Sequence, residues 1–397
     1  MSTRAYVAGV GMTRFEKIES RDWEYPDMVK EAVTAALADA GIAYDAVQRA
    51  AVGYVFGPST QGQRALYDVG RTGIPVVNVN NNCATGSSAL YLAREWVQAG
   101  LVDVALAVGF EKMTKKALAG DGTMPTVTTL DGTLGVRVPT YGWGSGPMTA
   151  QVFGNAAREH MDRYGTTVEQ LAAVAVKNHR HSTNNPYAQF QDAYTLEQVL
   201  ADKEVHAPLT RSQCSPTSDG AAAAVVVSER FVREHGLGAR AVEILGQALV
   251  TDVEESFAGS MIDAVGAPMT RLAAEQLFGT TGRRIDEVDV IELHDCFSVN
   301  ELITYEGLGL CAPGESGALV ESGATTYGGD VVVNPSGGLI SKGHPLGATG
   351  VAQVVELTWQ LRGEAGARQV DGARVGLQHN LGLGGACVVS LLQSPEG

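Results

Sequence analysis

The sequence is short of positive charge: 29 Lys and Arg stand against 44 Asp and Glu, a formal net charge of −15 over 397 residues. An excess of that sign repels a phosphate backbone, so a broad nucleic-acid interface is excluded, although a small anionic ligand can still use a local basic patch. No apolar run approaches the ~20 residues that a bilayer span needs. The first residues, Met1-Ser2-Thr3-Arg4-Ala5-Tyr6-Val7, lack the apolar core of a signal peptide. Cysteines are few, odd in number and scattered, at 83, 214, 296, 311 and 387, without the C-x-x-C spacing of a zinc site. That usage points to a reducing compartment, and a cytoplasmic protein is expected. The tail Gln393-Ser394-Pro395-Glu396-Gly397 is not a peroxisomal S-K-L address.

A hydrophobic share of 45% and 48 glycines fit an α/β enzyme rich in tight turns. Tyr6 to Gly11 reads as a first strand, and Asp27 to Ala40 as a helix with Met28, Ala32, Val33, Ala36 and Leu37 at helical spacing. Val102 to Val108 and Ala221 to Glu229 are continuous apolar runs of the kind buried in a sheet covered on both faces. Between Glu111 and Pro208 the pattern breaks into Gly, Thr and Pro and then amphipathic stretches such as Thr167 to His179, which reads as an insertion. Val288 to Leu293, followed by His294-Asp295-Cys296-Phe297-Ser298 and a helix from Asn300, echoes the passage from Val76 through Cys83. Gly220 to Ser228 likewise resembles Gly384 to Ser390. Two like-built halves are the simplest account.

Cys83 lies between the run Ile74 to Asn82 and a helical stretch from Ala89 to Val97. A thiol at a helix N-terminus faces the positive end of the peptide dipoles, which predicts a lowered pKa and a nucleophilic thiolate. The glycine-rich segment Asn334 to Gly350 holds His344 ahead of a helix at Val351 to Leu361. Pro345 biases His344 to an extended backbone, which aims its ring as a base for a thiol. His294 and Cys296, two apart at the end of a strand, can both move protons at a carbon centre. The turn Leu377 to Gly385 offers backbone N–H groups of the oxyanion-hole kind.

Val79-Asn80-Asn81-Asn82-Cys83-Ala84-Thr85-Gly86-Ser87, Asn184-Asn185-Pro186-Tyr187, Cys214-Ser215-Pro216-Thr217-Ser218-Asp219-Gly220, His294-Asp295-Cys296-Phe297 and Gly343-His344-Pro345-Leu346-Gly347-Ala348-Thr349-Gly350 come in the order they take in the thiolase family. Over nearly the whole chain the sequence resembles its sterol-carrier-protein-x branch. The resemblance implies an α/β thiolase fold, a five-layered αβαβα core of two similar halves with an inserted loop domain. Residues 1–110 with 209–235 would form the first half, 111–208 the insertion and 236–397 the second half. It implies thiolysis of a 3-oxoacyl-CoA, branched or sterol-derived, by free coenzyme A, with no metal and no cofactor beyond coenzyme A as substrate, in a homodimer. Cys83 would be the nucleophile, His344 its base and Cys296 the acid. One oxyanion hole would use His294 and His344, the other the amides of Cys83 and Gly382. Ordinary thiolases place their second cysteine in a C-terminal C-x-G turn, where this chain has His379-Asn380-Leu381-Gly382. Cys387 is expected in the core, with Cys214 and Cys311 structural. Lys112, Lys115, Lys116, Arg180 and Lys342 are candidates for the phosphates of coenzyme A, most of them expected to be solvated surface residues instead. The resemblance also admits two rivals. One is a retro-aldol lyase of steroid side chains, whose relatives tend to carry tyrosine in place of the two histidines kept here. The other is a non-catalytic lipid-binding protein.

Overall fold

The structure is a computed structural model that describes residues 3–114, 127–142, 144 and 146–395. The alanine-rich run forms the strand Ser218–Ser228, buried at every position. Its side chains alternate between two cores, Ala221, Ala223, Val225 and Val227 on one face and Ala222, Ala224 and Val226 on the other. Helices cover both faces, so the strand needs no polar side and reads as an unbroken apolar run.

In chain order the main strands are β1 (Ala5–Met12), β2 (Arg49–Gly53), β3 (Val76–Val79), β4 (Val104–Glu111), β5 (Ser218–Ser228), β6 (Val242–Val250), β7 (Val290–Glu292), β8 (Val332–Val333), β9 (Val375–Gly382) and β10 (Ala386–Gln393). Across the sheet they run β8-β7-β9-β10-β6-β1-β5-β4-β2-β3. Counted within each half, the order is first-fifth-fourth-second-third both times. The directions repeat too: the second strand is parallel to the third and fourth, and the fifth is antiparallel to the first and fourth. The halves meet edge to edge where β1 and β6 pair antiparallel at Tyr6↔Glu243 and Val7↔Val242.

The helices that place the site are α1 (Tyr25–Ala40), α2 (Thr85–Gln98), α3 (Met148–Tyr164), α4 (Val168–Ser182), α5 (Ala267–Thr281), α6 (Ser298–Leu308) and α7 (Leu346–Arg362). Helix α1 covers β1 and β5 on one outer face and α5 covers β6 and β10 on the other, while α2 and α7 pack on each other between the halves. The result is five layers, αβαβα. The central helices approach closely at glycine: a Cβ on Gly86 would lie 2.7 Å from the Gly347 carbonyl oxygen, and one on Gly350 only 2.4 Å from the Ser87 nitrogen. Helix α7 starts at Leu346, five residues before the expected Val351, so its first turn follows directly on Pro345.

The repeat differs from its sequence reading. By position in the sheet, β7 matches β2, and the counterpart of β3, Cys83 and α2 is β8, His344 and α7. Buried parallel strands that lead into helices share one composition, so only the hydrogen-bonded order reveals the true register of the two halves. The pairing of Gly220 to Ser228 with Gly384 to Ser390 does hold, since these are the fifth strands β5 and β10. Between β4 and β5 the described chain is mostly helical, with Asp131–Tyr141, α3 and α4. Thr167 caps α4 through a reciprocal box with Gln170. Among the described residues no helix is long and apolar enough to cross a membrane.

Candidate active site

Both central helices begin at one cavity, whose lining includes Cys83, Thr149, Phe153, His294, Cys296, Phe297, His344 and Leu381. The Cys83 sulfur and a ring nitrogen from each of His294 and His344 lie within 4.8 Å of one another, and the two rings meet edge to face with centroids 5.1 Å apart. The sequence thus named four residues from three separate segments that the fold brings to one place.

A sharp turn presents Cys83. Asn82 has φ +48°, a left-handed conformation that asparagine tolerates, and its side chain donates to the Leu383 carbonyl at 2.6 Å. Burial pushes the Cys83 thiol up to about 12, with the nearby Glu111 carboxylate adding to the rise. The thiolate expected from the helix dipole is therefore not the resting form. The amides of Cys83 and Leu383 donate toward the sulfur and oppose the shift, but desolvation of a charge outweighs two dipoles. Gly382 sits one residue before the Leu383 donor, so close that a Cβ there would lie 2.2 Å from the Asn81 carbonyl oxygen.

His344 is buried, and burial lowers its pKa to about 3, so the ring is neutral. Its Nδ1 lies 2.7 Å from the Thr349 Oγ1. That hydroxyl gives its one hydrogen to the Pro345 carbonyl at 3.0 Å, so it accepts from Nδ1–H. The lone pair is then on Nε2, which is buried and has no hydrogen-bond partner among the described residues. The His344 amide donates to the Ser218 Oγ at 3.0 Å. Gly343 precedes it at φ +113°, where a Cβ would meet that same Oγ at 2.7 Å.

His294 is held from several directions. Its carbonyl accepts from the Asn300 side chain, its amide reaches the His379 Nδ1 at 3.5 Å, and its own Nδ1 lies 3.0 Å from the Asn380 Nδ2. Burial and the neighbouring histidines keep its pKa well below the usual value. Cys296 is buried, with its thiol pushed well up by burial and by Cys83, so it stays protonated. Asp295, between them, accepts from the Leu339 and Ile340 amides at 2.6 and 3.3 Å and ties this loop to the segment that carries His344.

The remaining candidates separate. Cys387 is buried in β10, as expected. Cys214 is half-buried and donates to the Thr210 carbonyl at 3.3 Å, and Cys311 is half-buried. Lys342 is neither a phosphate contact nor a surface residue: it is buried, 3.1 Å from Glu292 and 2.8 Å from the Ser336 Oγ. A long flexible side chain at the end of the sequence G-G-L-I-S-K gives no sign that a carboxylate waits beneath it. Lys112 pairs with Asp219 at 2.9 Å, and Arg180 is exposed and donates to Thr326 at 3.2 Å. Lys115 and Lys116 lie outside the described residues. Thr349, Ser218 and Asn380 were missed as supports of the site. Only Thr349 left a signal, a hydroxyl on the first turn of the helix that His344 precedes.

Residues 5–230 match the pattern of the thiolase N-terminal domain, and residues 252–393 that of a thiolase C-terminal domain-like region. Sterol carrier protein 2 of Bos taurus is 56% identical over 395 residues, covering 98% of this chain and 72% of the relative. The acetyl-CoA acetyltransferase of Methanothermobacter thermautotrophicus is 38% identical, covering 97% and 98%. Among solved structures, the Ltp2-ChsH2(DUF35) aldolase superposes with a TM-score of 0.83 at 24% identity, covering 99% of this chain and 98% of that one. Human mitochondrial 3-ketoacyl-CoA thiolase superposes with 0.73 at 18%, covering 99% of each. At those identities the superpositions speak for the fold. With both halves of the family pattern matched and a relative of known class alike over its whole length, the chain belongs to the thiolase family and is an acyltransferase of the thiolase type.

Proposed function

We propose that this protein cleaves 3-oxoacyl-CoA esters, branched or sterol side-chain esters among them, by thiolysis through an acyl group on Cys83. The observation that carries the reading is the buried Nε2 of His344, unpartnered among the described residues, in a cluster with the Cys83 sulfur. A neutral imidazole whose tautomer is fixed through Thr349 is a base with one open position, and a protonated thiol is what it needs beside it.

The Cys83 proton passes to the His344 Nε2 as sulfur bonds to C3 of the substrate. The C2–C3 bond breaks, leaving the acyl group on sulfur and an acetyl-CoA or propanoyl-CoA enolate. The Cys296 thiol protonates C2, and the proton on His344 returns to the Cys296 thiolate. Free coenzyme A then gives its thiol proton to His344 and attacks the thioester. The departing Cys83 thiolate takes that proton back. His294 and His344 face the enolate oxygen, and the amides of Cys83 and Gly382 face the oxyanion at C3. Losing one such donor typically costs about 3 to 4 kcal/mol of barrier. A neutral pair at rest suits the cycle, because no buried charge has to be sheltered until the substrate brings the donors into use.

Residues 1–110 with 209–235 and 236–397 serve as the two halves in this reading, and 111–208 as the insertion that helps hold coenzyme A. The working form is a homodimer in a reducing compartment, the cytoplasm, in keeping with five free cysteines among the described residues. The test is to mix purified protein with straight and 2-methyl-branched 3-oxoacyl-CoA, with and without free coenzyme A, and to follow shortened acyl-CoA. Turnover should require free coenzyme A and vanish in Cys83→Ala. Cys296→Ala should still take an acyl group onto Cys83 from a simple acyl-CoA, but net cleavage of the 3-oxoacyl-CoA should be lost because the enolate has no acid to protonate C2. Wild-type rates in Cys83→Ala would end the covalent scheme, and cleavage that ignores free coenzyme A would favour a lyase.

A further inference from the structure

A chain of buried hydrogen bonds leads away from His294, and each link has one permitted direction. It starts at the Gly350 carbonyl, which can only accept: the Gln378 amide nitrogen lies 2.9 Å from it. The same nitrogen faces the Ser87 Oγ and, at 3.1 Å, the Gln353 Oε1, while the Gln378 oxygen accepts from Ser390 at 2.7 Å. An amide nitrogen cannot accept, so Ser87 cannot give its single hydrogen there and gives it to Asn380, whose Oδ1 stands 2.9 Å away. The Asn380 nitrogen is thereby turned to the His294 Nδ1 at 3.0 Å. Rotating the Asn380 amide would put its NH2 against Ser87 and leave the serine hydrogen buried with no acceptor among the described residues. Ser87, Gln378, Asn380 and Ser390 are all buried, so water cannot repair such a mismatch.

We infer that Asn380, held by Ser87 and Gln378, is a positioning residue that fixes His294 with its proton on Nε2, facing the cavity as a hydrogen-bond donor. The inference deepens the proposed thiolysis and rests on it for its kinetic consequence. It also has a consequence independent of turnover. The Cys83 sulfur and the two ring nitrogens lie within 4.8 Å of one another, a spacing that suits a soft divalent ion closing up on three ligands. Such an ion needs a lone pair on the nitrogen it binds, and Asn380 places that pair on the far side of the ring. A carboxylate at position 380 would accept from both Ser87 and the His294 Nδ1–H, turning the lone pair of Nε2 into the cavity, as carboxylates do behind metal-bound histidines.

The experiment compares wild type, Asn380→Asp and Asn380→Asp/Cys83→Ala. Cobalt(II) titration follows the thiolate-to-metal absorption band, thiolysis is assayed alongside, and thermal unfolding checks the fold. In Asn380→Asp the expected results are at least tenfold tighter cobalt binding, with a band that disappears in the double variant, and thiolysis lowered 100- to 1,000-fold. Unchanged cobalt affinity and unchanged thiolysis in a folded Asn380→Asp would overturn the inference. Nitrogen-15 spectra of histidine-labelled wild type, with the His294 signals identified from His294→Asn, read the tautomer without any change at 380, and a protonated Nδ1 would equally overturn it. If wild type itself fails to turn over 3-oxoacyl-CoA, the proposed reaction falls, and the cobalt and nitrogen-15 results still decide the tautomer.

Discussion

At the scale of single residues, Cys83 and His344 form an uncharged pair, with burial raising the thiol to about 12 and lowering the imidazole to about 3. Alkylation rates follow thiolate fraction, and a group titrating that high has no plateau in the ordinary range. Iodoacetamide labelling of Cys83, read by mass spectrometry of its peptide, should therefore rise about tenfold per pH unit from about pH 7 to pH 10. A rate already level above pH 7 would mean a thiolate–imidazolium pair. Cys83, His294, Cys296 and His344, all named from the sequence, line one cavity, whereas the thiolate expected of the sulfur is opposed by its burial. A helix N-terminus is local and can be read from neighbouring residues. What covers a side chain comes from segments hundreds of residues away, and that decided the protonation.

The elements that hold these residues depend on close helix packing. A Cβ on Gly350 would stand 2.2 Å from the Ser87 Oγ and 2.4 Å from its backbone nitrogen, so neither helix can yield without moving the residue that orients Asn380. Gly350→Ala is expected to lower stability by roughly 1–3 kcal/mol, as overpacking does, and to reduce activity more than that loss explains. A Cβ on Gly135, inside the helix Asp131–Tyr141, would meet nothing within 4 Å among the described residues. There alanine should stabilise by up to about 1 kcal/mol. Urea unfolding of both variants measures the contrast, and equal effects would mean that α2 and α7 are not in the tight contact described. Strands and helices were legible as elements because their period survives in the sequence, whereas the counterpart of α2 was not. The early start of α7 at Leu346 was hidden too, since Gly347, Thr349 and Gly350 are poor helix formers that only the packing between the halves keeps helical.

For the whole molecule, the order of the sheet among the described residues leaves β3 at its end, paired on one side with β2 and exposing Val77 at 42%. A free, apolar edge is a template for another strand. The proposed homodimer has a natural seam there, two copies of β3 pairing across a two-fold axis. Val77→Lys should shift the mass seen by sedimentation equilibrium toward the monomer at micromolar concentration while leaving far-ultraviolet circular dichroism unchanged. A wild-type monomer, or a variant dimer as tight as the parent, would move the interface elsewhere or remove it.

The sequence by itself determined the class of fold, the presence of two like halves and which cysteine and histidine side chains to look for in one place, because hydrophobic period and motif order are properties of neighbouring residues. Tertiary structure decided which strands correspond, that Lys342 is buried against Glu292, that the Cys83 thiol keeps its proton, and which nitrogen of His294 faces the cavity. Each of those depends on solvent exclusion or on a partner distant in the chain, and desolvation and hydrogen-bond direction are set only when the halves close on each other.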